Sequence, residues 1–151
     1  MTKVELVQID RSGKPAAELG QLPGMVATNC GLTAAFYRVV GFEPPWIGYL
    51  SVLDGCIVGG GGFKGSPKDN KVEIAYYTLP HLEGRGIATA TARGLVAIAR
   101  SCRPGLVIVA QTLPATNAST AVLQRIGFAL AGTVIHPEDG EVWEWHLNAE
   151  Q

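Results

Sequence analysis

The chain has 151 residues, 47% of them hydrophobic and 17% charged, with a formal net charge of −1. That length suits one domain with a substantial core, and the composition is that of a compact protein, not a disordered one. The near-neutral balance gives no basic footprint for nucleic acid or an anionic membrane, and no apolar run approaches the roughly 20 residues of a membrane span.

Residues 1–5 contain no signal-peptide hydrophobic region, and Cys30, Cys56 and Cys102 are too widely spaced for a disulfide framework or a metal site. A cytoplasmic protein is the expectation. Residues 4–9 read as an opening strand that ends at Asp10-Arg11-Ser12-Gly13. Residues 15–40 are mostly helical in character, with Pro23-Gly24 as a break. Two strands, 46–53 and 56–63, flank Asp54-Gly55, a two-residue hairpin signal. Residues 71–79 form the next strand. A helix over 85–102 places Thr91, Leu95, Ile98, Ala99 and Cys102 on one face, and Pro104-Gly105 stops it. The nearly continuous apolar run 106–112 suits a strand buried on both sides. A short helix over 117–126, capped by Gly127, and two last strands, 128–136 and 141–147, complete the chain. The order predicts a single mixed, mostly antiparallel α/β sheet flanked by helices in one domain spanning 1–151.

Two glycine patterns compete for a phosphate-binding role. Gly60-Gly61-Gly62-Phe63-Lys64-Gly65 fits G-x-G-x-x-G but runs into Ser66-Pro67, with no helix after it. It reads as a strand whose small residues permit close backbone approach or a bulge. The turn Glu83-Gly84-Arg85-Gly86-Ile87-Ala88-Thr89 has a strand before it and a helix after it. Unpaired N–H groups and the helix dipole make such a terminus an anion site. Without a Gly-Lys-Ser/Thr ending, it is not a nucleotide-hydrolysing loop. Downstream, Thr112-Leu113-Pro114-Ala115-Thr116-Asn117-Ala118-Ser119-Thr120 leads into a helix, where Asn117 alone reads as an N-cap contributing about 1 kcal/mol.

Together these segments resemble the GCN5-related N-acetyltransferase (GNAT) superfamily. The family turn, Gln/Arg-x-x-Gly-x-Gly/Ala, is met by Gly86 and Ala88, with Glu83 at the Gln/Arg position. The stretch from Thr112 to Phe128 resembles the branch containing ribosomal-protein N-terminal acetyltransferases. The resemblance covers about 46–147. It implies an N-acetyltransferase that moves acetyl from acetyl-CoA to a primary amine of a small molecule or protein N-terminus by direct transfer. Gly84, Arg85, Gly86, Ile87, Ala88 and Thr89 would hold the pyrophosphate. Tyr77, Thr78 and Leu79 would pair with the pantetheine arm where the fourth and fifth strands splay, the Thr78 N–H facing the thioester carbonyl. Asn117 and Ser119 would touch the cofactor.

By the same resemblance, Glu73 stands where many relatives carry a base that acts through water. Leu123 occupies the position of the usual tyrosine acid, with Ser119 or water as the substitute. No metal, nucleic acid or membrane partner is implied, while a homodimer through the C-terminal strands is common among relatives. Other readings are a non-catalytic acyl-CoA-binding module and a different nucleotide-binding α/β protein. Trp46 reads as core or as pocket lining, His81 as a solvated loop residue, and Trp143 and Trp145 as packing one face. His136 and His146 show no metal pattern.

Overall fold

The computed structural model describes residues 3–149. A seven-stranded sheet runs in the order β1-β2-β3-β4-β5-β7-β6. Its strands are β1 (Glu5–Gln8), β2 (Gly48–Leu53), β3 (Cys56–Phe63), β4 (Lys71–Thr78), β5 (Val107–Thr112), β6 (Ala129–His136) and β7 (Gly140–Leu147). Its helices are α1 (Gly24–Val40), α2 (Ile87–Cys102) and α3 (Ala118–Ile126). Every neighbouring pair is antiparallel except β4 and β5. That parallel pair follows from the α2 crossover, since parallel strands need a long connection.

Side-chain alternation sorts the core into two layers. Val72 and Ile74 of β4, Ile108 and Ala110 of β5 and Trp145 of β7 pack with Leu95 and Ala99 of α2 and Leu123 of α3. On the opposite face, Val26 and Cys30 of α1 pack with Ile9, Leu50 and Leu79, and Tyr77 lies against them. Trp46 is core, edge-on to Phe63 with ring centroids 5.2 Å apart, so its pocket-lining alternative is set aside. Trp143 and Trp145 do share a face, at 6.3 Å. Cys102 departs from the expected buried stripe of α2: the buried positions are Ile87, Thr91, Ala92, Leu95 and Ala99, and Cys102 is exposed.

The glycine run of β3 is explained by close approach. A Cβ at Gly60 would lie 2.8 Å from the Tyr49 carbonyl oxygen and 2.9 Å from the Tyr77 ring, so only glycine admits that aromatic across the strand. The helical region expected from residue 15 begins only at Gly24. Pro15, Gly20 and Pro23 deny the preceding stretch a continuous helical backbone.

Tyr37 ties α1 to the sheet. Its hydroxyl donates to the Ile9 carbonyl oxygen at 2.8 Å and accepts from the Gly48 N–H at 2.9 Å. Burial pushes its pKa up to about 12, so it remains a neutral donor throughout the ordinary pH range. Tyr37→Phe is expected to lower unfolding stability by about 2 kcal/mol, because two partners lose their bond in a mostly dry environment. A shift in the urea midpoint with an unchanged m-value is the expected readout; an unshifted midpoint would remove the bond from the stability of the fold.

Candidate active site

β4 and β5 are paired only at Lys71↔Val107, Val72↔Ile108 and Glu73↔Val109. Beyond that point the strands part, although β4 continues to Thr78 and β5 to Thr112. Hydrogen bonds on the other edge of β4 fix its polarity: Lys64 N–H donates to Glu73 O at 2.8 Å and Leu79 N–H to Val58 O at 2.9 Å. Alternation along a strand then turns the peptide groups of Glu73, Ala75, Tyr77 and Leu79 toward β3. Those of Tyr76 and Thr78 face the gap. Thr78 therefore presents its N–H to the gap, whereas Leu79 turns its N–H to β3 and buries its side chain beside α1.

After β4 the chain makes one 3-10 turn, Pro80–Leu82, then passes through Gly84 and Gly86 with φ of 81° and 79°. Gly86 is the N-cap of α2 in left-handed backbone, and no side chain caps that end. The first helical bond is Ala90 N–H to Gly86 O at 3.0 Å, which leaves the N–H groups of Ile87, Ala88 and Thr89 without helical acceptors. α2 thus starts at Ile87 and not at Arg85, because the left-handed glycine ends the turn before the helix can begin.

These groups border a cleft of about 610 Å³. One wall is Tyr76, Tyr77 and Thr78, the floor is Glu83, Gly84 and Gly86 through Thr89, and the far wall is the first turns of α3 with Ser119, Val122 and Arg125. The Thr78 hydroxyl is buried with no hydrogen-bond partner. Burial raises the Tyr76 pKa to about 12 and also raises that of Tyr77, which Asn29 nearby partly offsets. The Tyr77 hydroxyl nevertheless has no partner in hydrogen-bond geometry. An orphan hydroxyl, a free strand edge and uncapped helical N–H groups fit a ligand with amides at one end and phosphates at the other.

Other anticipated residues fall elsewhere. Asn117 caps α3, its side chain accepting from Thr120 N–H at 3.2 Å while Thr120 Oγ1 accepts from Asn117 N–H at 2.9 Å. Its carboxamide oxygen is therefore committed to the cap, and Asn117 and Arg85 do not line the cleft. Leu123 is fully buried in the core and offers no proton. Glu73 lies on the α1 side of the sheet at the last paired position, 3.3 Å from Lys64 Nζ. Arg125, Val122 and Tyr76 were not anticipated. The helical spacing 118, 122, 125 is the signal that marks Val122 and Arg125, and strand alternation marks Tyr76 with Thr78.

A family model described as the acetyltransferase (GNAT) domain matches residues 28–129. The chain belongs to the GNAT acetyltransferase family. Membership makes it an acetyl-CoA-dependent N-acetyltransferase. Similar solved structures agree on the fold. RimL, a ribosomal L7/L12 alpha-N-protein acetyltransferase solved in complex with coenzyme A, is 16% identical, with a TM-score of 0.71 over 99% of this chain and 96% of that one. YncA from Salmonella typhimurium, solved with its cofactor acetyl-CoA, is 17% identical, with a TM-score of 0.65 over 99% and 96%. An N-acetyltransferase from Staphylococcus aureus Mu50 is 15% identical, with a TM-score of 0.66 over 99% and 100%. No match was found among curated proteins. Among the described residues no group of side chains could hold a metal, and no helix is long and apolar enough to cross a membrane.

Proposed function

We propose that residues 1–151 form one transferase domain in which the two sides of the sheet divide the labour. The single observation that carries this reading is the meeting, in one cleft, of the uncapped start of α2 with the free edge of β4. Gly84, Gly86, Ile87, Ala88 and Thr89 bind the pyrophosphate of acetyl-CoA, with Arg125 adding charge from α3. The peptide groups of Tyr76 and Thr78 pair with the pantetheine amides. Acetyl-CoA supplies an activated acetyl thioester; the Thr78 N–H stabilises charge on its carbonyl oxygen. Glu73 takes the proton of the incoming amine from the α1 side, and Ser119, exposed on the cleft wall, or water donates a proton to the leaving sulfur.

The acceptor is a primary amine, and the likeness to RimL favours a protein N-terminus over a small molecule. A cytoplasmic setting is supported by free Cys30, Cys56 and Cys102. The test is an amine panel covering peptides, amino sugars and polyamines, with free-thiol detection of released CoA. Amine-dependent thiol release is expected, fastest with a peptide N-terminus. Tight acetyl-CoA binding without amine-dependent release would overturn transfer in favour of a binding module.

A further inference from the structure

The face of the sheet opposite α2 and α3 carries a polar group that the cleft does not use. Register places Glu73, Val109 and His146 side by side across β4, β5 and β7, and Gln111 opposite Glu144 one step further on. Alternation puts all five side chains on this face, together with Ala75, which remains exposed although β4 is a central strand. Gln111 Nε2 donates to Glu144 Oε2 at 3.5 Å. The other carboxylate oxygen, Oε1, lies 2.8 Å from His146 Nε2. An ionised carboxylate only accepts, so Nε2 carries the proton of that contact. Glu144 and His146 keep 23% and 24% of their side-chain surface exposed, so the pair is partly dry yet reachable.

The pair stands on β7, one strand from the gap between β4 and β5, on the face that carries Glu73. Glu73 and Glu144 stand on strands two apart, about 10 Å across the sheet. Lys64 already neutralises Glu73, at 3.3 Å. Glu144 has a neutral amide and an imidazole as its partners, and each holds one of its oxygens in place.

We propose that Glu144, oriented by Gln111 and His146, is the anchor for the positively charged amine of the acceptor on the face of β4, β5 and β7. This deepens the transferase reading and rests on it. Glu144 holds the ammonium by charge-assisted hydrogen bonds, and the proton the amine gives up passes through water to Glu73. Gln111 and His146 act as positioning residues that keep the carboxylate in a single orientation.

The test uses 2-phenylethylammonium as probe and neutral N-acetyl-2-phenylethylamine as control, titrated calorimetrically into the full chain saturated with CoA. The wild-type complex is expected to prefer the ammonium by about tenfold or more. Glu144→Gln, which preserves shape, is expected to abolish that preference while its CoA affinity stays within about twofold. His146→Asn is expected to leave an intermediate preference, because the carboxylate remains but loses one restraint. Equal affinity of the wild type for the two probes, including binding of neither, would overturn the proposal, and so would a preference that survives Glu144→Gln. CoA binding is measured first in the same cell. If CoA fails to bind, the cofactor reading falls, and the ammonium preference is then scored on the CoA-free protein, so the two failures are distinguishable.

Discussion

Gly86→Glu is expected to reduce acetyl-CoA affinity at least about 100-fold, a loss of roughly 3 kcal/mol. Three effects act in the same direction. Gly86 has φ 79° and ψ 7°, left-handed backbone that costs a residue with a Cβ about 1–2 kcal/mol. Relieving that strain would turn away the N–H groups of Ile87, Ala88 and Thr89, which have no helical acceptor and no side-chain cap. The new carboxylate would also stand where the proposed function seats the pyrophosphate, beside Glu83. Gly86→Ala isolates the backbone effect and is expected to lose clearly less affinity than the glutamate variant. Calorimetry decides the matter, with thermal unfolding to confirm that both variants fold. Micromolar binding retained by a folded Gly86→Glu protein would remove the turn from the cofactor site.

The elements that build this turn were legible because each carries a local signal. Glycine before a helical apolar period marked the start of α2 to within two residues, and Asn117 with Gly127 marked both ends of α3. The parting of β4 and β5 came from family resemblance, since no local pattern in either strand encodes where pairing stops. What stayed hidden arises from contacts between distant segments. Asn117 was assigned two roles in the sequence, and only the fold shows its oxygen spent on the Thr120 N–H. Leu79 looks like any other strand residue until the bond from its N–H to Val58 O reveals which edge of β4 it serves. Gln111 and Glu144 lie 33 positions apart, so only strand register brings them together. Ala75 has no chemistry of its own, yet its exposure in a central strand marks a place where that face of the sheet is uncovered. Local propensity specifies elements, and register specifies sites.

Glu73→Gln is the variant that separates chemistry from binding. It is expected to lower kcat by about 10²–10⁴-fold, the usual contribution of a positioned base, while the acetyl-CoA dissociation constant stays within about twofold. The split follows from placement: Glu73 lies on the last paired rung of β4 and β5 and on the α1 side, whereas the residues lining the cleft do not include it. The competing account makes Glu73 a structural partner of Lys64, 3.3 Å away on the turn after β3. An ion pair at this exposure is worth at most about 1 kcal/mol, so breaking it from either end would change stability slightly and equally. Lys64→Met distinguishes the two accounts. If Glu73 serves chemistry, Lys64→Met retains most of the turnover while Glu73→Gln loses nearly all of it. Equal, small effects of the two substitutions on both stability and kcat would assign the pair to the sheet alone. Transfer rates for the three proteins at saturating amine, measured across pH, supply the comparison.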